Sequence, residues 1–341
     1  PTISQPPPPP SFAVSSSAVF VFKTRLQQHA LKRQCSYFSQ RRGRPQHAER
    51  REKFAFIYSE DRSRITCLRV VITGSSKGIG RALAEEFIKY GDSVVLSGRS
   101  KERLDQCTKE LSESAGEGQV LGFAADCRKY EDMEGLANFA TDSLGAIDIW
   151  INNAGTNGYV LANLVDQPPE TIREVVETNI VGTLNGSRAA LKVMIKQGFG
   201  HMFNMVGAGV GGDATPLYSV YGATKRCLPQ LNASLVKETK GTGVGVHLLQ
   251  PGMVLTDLLL SSSSVVARRF FNVLAETPQN VATELVPQIR SVQGTGSYIK
   301  FLTVPRVLFR FLTFWARSKR FFDEQGNPIG SWFTETNRYR N

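Results

Sequence analysis

From Leu68 the chain reads Leu68-Arg69-Val70-Val71-Ile72-Thr73-Gly74-Ser75-Ser76-Lys77-Gly78-Ile79-Gly80. A short apolar run enters a turn whose glycines, Gly74, Gly78 and Gly80, are spaced G-x-x-x-G-x-G. Ile79, Leu83 and Phe87 then recur at helical spacing. This is a strand, a glycine turn and a helix. Glycine permits the tight turn, a close backbone approach to a pyrophosphate, and packing of the helix on the strand. The helix start offers unpaired N–H groups and positive dipole to phosphates. Ser75, Ser76, Lys77 and Ile79 complete the turn and are read with the glycines as cofactor-binding. Many loops are glycine-rich for no such reason. The place of this one between a strand and a helix favours a dinucleotide.

Outward from that turn, the pattern repeats. DSVVLSG (92–98), QVLGFAAD (119–126), IDIWINNAG (147–155), GHMFNMVG (200–207) and GVGVHLLQPG (243–252) are further strand candidates, with polar, helix-period stretches between them. Continuous apolar strands alternating with helices imply a parallel sheet covered on both faces, a doubly wound α/β fold. The 341 residues suffice for a sizeable core. Hydrophobic residues at 41% and charged residues at 21% exclude a wholly disordered or fibrous chain. Five cysteines without a CxxC give neither a disulfide framework nor a metal site, so no metal is expected.

The end of the second strand speaks to the dinucleotide. A carboxylate there would bind a ribose 2′-OH. This chain instead has Ser97-Gly98-Arg99-Ser100-Lys101, with no acid before Glu102. Arg99 can pair with a 2′-phosphate, and Ser97 and Ser100 can add hydrogen bonds. The reading is NADPH/NADP+ over NADH, against the plainer alternative of a solvated arginine at a helix start. Further on, Tyr221-Gly-Ala-Thr-Lys225 puts a phenol and an ammonium on one helical face. A nearby ammonium favours phenolate, which would tune the tyrosine for acid–base work.

The net charge of +11 sits at the ends. Residues 1–48 and 285–322 each hold seven Lys/Arg and no acid, leaving −3 for the rest. A nucleic-acid groove would put that charge on the folded body, so no nucleic acid is expected. Residues 1–48 are rich in Ser, Pro and Arg, the composition of a transit peptide for chloroplast or mitochondrion; a disordered basic tail is the plainer alternative. The stretch YIKFLTVPRVLFRFLTFWARSKRFF (298–322) reads as a basic, aromatic amphipathic helix, with Pro305 in its first turn and Arg306, Arg310 and Arg317 near one stripe. Such a helix suits a membrane surface. Docking on its own domain or on a partner subunit is the alternative. No apolar run is long enough to span a bilayer. The chain thus divides into 1–60, transit peptide and disordered linker; 66–291, NADP-binding catalytic domain; and 292–341, a C-terminal extension.

TGSSKGIG (73–80), Asp126, NNAG (152–155), Asn179 in ETNIVGT, YGATK (221–225) and PGMVLTD (251–257) stand in the order and spacing of the short-chain dehydrogenase/reductase family, which residues 68 to about 290 resemble. The resemblance implies that Asp126 meets the adenine, with Cys127 beside it in the cofactor-binding set. Asn153, Ala154 and Gly155 would pack by the adenine ribose. Asn179 would hold a water in a proton relay. Lys225 would bind the nicotinamide ribose and lower the pKa of Tyr221, the proton donor to a carbonyl. Pro251, Gly252, Val254 and Thr256 would contact the nicotinamide.

One departure stands out. The family places a serine about 13 residues before the tyrosine, and here the stretch is Gly207-Ala208-Gly209-Val210-Gly211-Gly212. Ser219 and Thr215 are the candidate replacements, and the glycines leave space for a flat, large substrate. GAGVGG (207–212), TPLYSVYGATK (215–225), FFNVLAETPQNVATELVP (270–287) and KFLTVPRVLF (300–309) resemble, within that family, the chlorophyll(ide) b reductases. That resemblance implies NADPH-dependent reduction of the C7-formyl group of chlorophyll b or chlorophyllide b to 7-hydroxymethyl chlorophyll a. It also implies a chloroplast, stromal-side thylakoid location, with light-harvesting antenna proteins and a related reductase subunit as partners. Leu258–Leu260 with Phe270 and Phe271 would form an apolar lid over the pigment, with ordinary core packing of a helix as the plainer alternative. Two rivals remain: a ketoacyl- or retinoid-type carbonyl reductase, and a non-catalytic NADPH-binding membrane scaffold.

Overall fold

The computed structural model describes residues 67–261, 263–330 and Trp332. The expected transit peptide and linker lie outside the described residues. Seven strands form one parallel sheet in the order β3-β2-β1-β4-β5-β6-β7. They are β1 (Arg69–Ile72), β2 (Ser93–Gly98), β3 (Val120–Ala124), β4 (Ile149–Asn152), β5 (Gly200–Met205), β6 (Val244–Gln250) and β7 (Tyr298–Lys300). The doubly wound reading is therefore the observed fold. The seventh strand comes from the segment read as a C-terminal extension. It pairs Ile299 with Leu249 of β6.

The period-2 pleat sorts each strand between two cores. Val70, Ile72, Val94, Leu96, Ile149 and Ile151 face one way, packed with Leu83 and Phe87 of α1 (Gly78–Lys89), α2 (Lys101–Ser112) and α9 (Pro278–Arg290). Val71, Val95 and Trp150 face the other, against α3 (Tyr130–Leu144), α5 (Gly182–Gln197) and α6 (Ser219–Glu238). Both faces are covered, so the strands carry no polar alternation.

Local chemistry sets the helix ends. The Ser100 hydroxyl accepts from Arg103 N to start α2, and Thr277 accepts from Asn280 N, with Pro278 opening α9. Between α4 (Pro169–Val176) and α5 the backbone widens to a π-helical turn over Glu177–Val181, which carries Asn179. Such turns recur at functional sites.

After β6 follow α7 (Asp257–Leu260), α8 (Val265–Leu274), α9, β7, α10 (Val304–Leu312) and α11 (Phe314–Arg317). The basic stripe of α10 faces inward. Arg310 is buried and its Nη2 stands 3.1 Å from Glu276 Oε2, while Arg320 Nη2 stands 2.7 Å from Glu276 Oε1. Arg306 pairs with Glu284 at 2.5 Å. No helix among the described residues is long and apolar enough to cross a membrane.

Candidate active site

The strand order reverses between β1 and β4, and a crevice opens there at the carboxyl ends of the strands. It is a cavity of about 400 Å³, walled by the glycine turn, the ends of β2 and β3, Asn153–Thr156 and Thr256–Leu258. The turn owes its form to glycine at two places. Gly74 has φ +62°, and a Cβ there would lie 2.8 Å from Ala154 Cα. A Cβ on Gly80 would meet the Asn153 side chain and, at 2.6 Å, Gly74 O. Asn153 holds the turn from behind: its Nδ2 donates to Thr73 O (2.8 Å) and Gly74 O (2.9 Å). The first turn of α1 has no side-chain cap and no acid. Its residues Gly78, Ile79 and Gly80 line the cavity, and a helix start there is a cradle suited to phosphate.

Not every predicted residue reaches the cavity. Ser76, Lys77, Ile79, Arg99, Asp126, Cys127, Asn153, Ala154, Gly155 and Thr256 line it with Gly74, Gly78 and Gly80. Ser75 is buried beneath: its hydroxyl donates to Ile72 O (2.7 Å) and accepts from Ser97 N (2.9 Å). It braces the turn. Pro251, Gly252 and Val254 lie outside the cavity wall, and Val254 bridges to Glu276. Ser97 and Ser100 line the cavity too, but the Ser100 hydroxyl is engaged as the α2 cap. Asp126 faces the cavity but is gripped by Arg128, whose Nε and Nη2 reach both carboxylate oxygens at 2.5–3.0 Å. Burial would raise its pKa, but the Arg128 bonds override that and lower it. Burial pushes the Cys127 thiol up to about 11, so it stays protonated.

The far end of the cavity is basic. Arg99 and Arg103 line it together, four residues apart across the start of α2, and Arg99 has a long contact to Glu174 at 3.9 Å. Sequence reading missed Arg103, although its spacing from Arg99 was visible. It also missed Tyr159, which lines the wall with φ +56° and its ring 6.0 Å from Lys77 Nζ. No periodicity signals a strained tyrosine.

Gly155 joins this cavity to the catalytic candidates. A Cβ there would stand 3.3 Å from Asn179 Oδ1 and 3.5 Å from Lys225 Nζ, so both groups lie directly behind the wall. Asn179 is fully buried. Its Oδ1 accepts from Thr156 N (2.9 Å), and its Nδ2 donates to Thr156 O (2.8 Å) and Thr224 Oγ1 (3.0 Å). The amide thereby locks the wall to the helix that carries Tyr221 and Lys225. Lys225 Nζ donates to Met205 O at the end of β5 (3.0 Å) and sits 5.7 Å from the Tyr221 ring centre.

The titration of the pair differs from the expected one. Burial pushes Tyr221 up to about 12 and Lys225 down to about 8. Removal from water dominates both and outweighs what the ammonium does for the phenol. Near neutral pH the phenol keeps its proton.

The missing serine also has a structural counterpart. A Cβ on Gly207 would strike the Tyr221 hydroxyl and lie 3.2 Å from Cζ. At Gly207 the space read as room for a large substrate is filled by the tyrosine itself. Thr215 Oγ1 is bonded to Tyr218 O, and Ser219 opens α6 on its exposed side. In the expected lid, Leu258 does line the cavity, whereas Leu260 and Phe271 are buried with Phe321, Phe322 and Trp332, and Phe270 is exposed. The lid is thus half packing.

Comparison with known proteins completes the description. The short chain dehydrogenase family profile matches residues 69–265. A protein of Arabidopsis thaliana named "Probable chlorophyll(ide) b reductase NYC1, chloroplastic" is 46% identical over 299 residues, covering 83% of this chain. The chain spans only 60% of that relative's length. A protein of Oryza sativa subsp. japonica named "Chlorophyll(ide) b reductase NOL, chloroplastic" is 43% identical over 267 residues, covering 75% of this chain and 78% of its own. Among solved structures, a gluconate 5-dehydrogenase of Burkholderia cenocepacia J2315, in complex with NADP and tartrate, superposes with a TM-score of 0.61 at 22% identity, covering 70% of this chain and 96% of its own.

Proposed function

The chain belongs to the short-chain dehydrogenase family, and from that premise we propose that it is an NADPH-dependent reductase of the C7-formyl group of chlorophyll b or chlorophyllide b, working in the chloroplast. Both curated relatives described above carry that substrate and that compartment in their names. The observation that carries the chemistry is the Tyr221 hydroxyl seated on Gly207 beside Lys225, whose ammonium lies behind the Gly155 wall.

A reduced nicotinamide dinucleotide, when bound, supplies the two electrons for the carbonyl carbon. Gly74, Gly78 and the first turn of α1 would hold its pyrophosphate. Arg99, aided by Arg103, would pair with a 2′-phosphate and so favour NADPH. Tyr221, protonated near neutral pH, donates its proton to the oxygen of the formyl group as negative charge grows there. General-acid help of this kind is worth about 10²- to 10⁴-fold. Lys225 steadies the phenolate left behind, and its burial makes that pairing stronger than in water. Asn179, with its amide fully committed and its carbonyl accepting from the Thr183 hydroxyl, acts by fixing Thr156 and Thr224. No serine hydroxyl shares the substrate oxygen, so more of the burden falls on Tyr221.

NADPH oxidation should be measured with chlorophyll b, chlorophyllide b and a ketoacyl thioester. Turnover of either pigment, with the 7-hydroxymethyl product and none from the thioester, is expected. Turnover of the thioester alone would contradict the reading.

A further inference from the structure

We propose that Asn272 is a positioning residue for the cofactor: by fixing the segment 318–322 on α8, it holds the cavity wall at Thr256, Asp257 and Leu258 in place for the nicotinamide half of a dinucleotide. The inference rests on the dinucleotide reading of the cavity. Asn272 lies outside the cavity wall and is fully buried. Its amide is used to capacity. Nδ2 donates to Ser318 O (2.6 Å) and Phe322 O (2.9 Å), and Oδ1 accepts from Phe321 N and Phe322 N, both at 2.8 Å. Arg268, one turn earlier on α8, adds a second tie. Its Nη1 donates to Gly326 O (2.8 Å), and its guanidinium lies 5.6 Å from the Phe322 ring centre.

The segment so held packs behind the wall. Phe321, Phe322 and Trp332 share one apolar cluster with Leu255, Leu260, Phe271 and Ala275, and Leu255 and Leu260 bracket the wall in the chain. Trp332 meets both phenylalanines edge-on, and its Nε1 donates to Phe321 O (3.0 Å). Arg320, from the same segment, pairs with Glu276, whose backbone is bonded to the entry of the wall: Leu255 N donates to Glu276 O (2.9 Å), and Glu276 N donates to Met253 O (3.0 Å). The wall itself leaves β6 as irregular chain and enters the four-residue α7. Such a stretch opens readily unless it is packed from outside. Across the cavity it meets the other side, where Asn157 Nδ2 donates to Leu258 O (2.8 Å) and Lys77 Nζ stands 3.7 Å from Asp257. The strand order sets β6 on the opposite side of β1 from β2 and β3, whose ends lead to Arg99 and Asp126. The wall therefore serves the half of the dinucleotide remote from the adenine.

Two ligands separate the halves. NADPH uses both, whereas adenosine 2′,5′-bisphosphate uses only the glycine turn and the arginine end. A wall that is in place about a tenth of the time binds about tenfold more weakly. The full chain carrying Asn272→Ala should therefore lose about tenfold in NADPH affinity by fluorescence titration, and keep its affinity for the bisphosphate by calorimetry. Arg268→Ala, at a half-buried position that spares the core, should lose about threefold with NADPH and nothing with the bisphosphate. A residue that only stabilised the fold would move both ligands together or neither. Selective loss of NADPH in either variant supports the inference. If neither variant shows it, the inference is overturned; a parent that binds neither ligand overturns the dinucleotide reading as well.

Discussion

A methyl group on residue 207 would collide with the Tyr221 hydroxyl. Gly207→Ala should therefore push the phenol from its seat and lower turnover by about 10²-fold or more, the scale of lost general-acid catalysis. NADPH binding, measured by fluorescence, should survive, since the turn at 73–80 is untouched. Arg99 is half exposed, so its pairing with a 2′-phosphate falls at the low end for a charged hydrogen bond. Arg99→Ala should cost NADPH about 1.5 kcal/mol, roughly tenfold in affinity, and leave NADH unchanged. Lys225 gives a pH signature. Its ammonium is held down to about 8 by burial, so turnover should fall as pH rises past that point. A profile that stays flat well beyond it would deny Lys225 its role. Tyr221 and Lys225 were legible from spacing, because one helical turn holds them on one face, whereas Asn179 was pointed to only by the family resemblance. The collapse of Gly207 onto the phenol was not legible, because it joins the end of β5 to the first turn of α6 through space.

At the scale of elements, six of the seven strands were visible as apolar runs bounded by glycine or polar residues. The seventh, Tyr298–Lys300, has three residues and alternates exposed with buried. Its pairing comes from β6, and nothing local marks it. Helix α10 shows a different limit. Its stripe and its proline start were readable, but the direction of the stripe depends on Glu276, 34 residues earlier in the chain. That carboxylate is held below its ordinary range: burial would raise it, but Arg320 and Asn280 override the burial. Taking Arg310 away strips one partner from a buried charge, which costs about 3–5 kcal/mol when nothing else remains. Arg320 stays in place, so Arg310→Ala should cost about 3 kcal/mol in urea unfolding. An unchanged midpoint would show that the cluster does not anchor α10.

At the scale of the whole molecule, β5 and β6 bring together an imidazole pair, His247 buried and His201 half-buried, that does not line the dinucleotide crevice. Ser297 N donates to His247 Nδ1 at 3.2 Å, so the His247 proton sits on Nε2 and points to His201 Nδ1 at 3.0 Å. Burial and the neighbouring ring lower the His247 pKa to about 3. A base depressed in the folded state lets the unfolded chain take up the proton first. Its contribution to stability is present above about 6.5 and drains away as pH falls toward 3. Asp92 acts in the opposite sense: it is raised to about 6, chiefly by burial. Its folded form protonates first, so stability is lost as pH rises from 3.8 to about 6. Nitrogen NMR should find His247 as the neutral Nε2–H tautomer at pH 5.5, and a titration midpoint near 6.5 would contradict its burial. The central claim remains that Tyr221 delivers the proton to a pigment formyl group. Single-turnover reduction of chlorophyll b by the full chain with NADPH, parent against Tyr221→Phe, tests it most directly. The account predicts a loss of about 10²-fold or more with NADPH affinity intact; equal rates for the two proteins would contradict it.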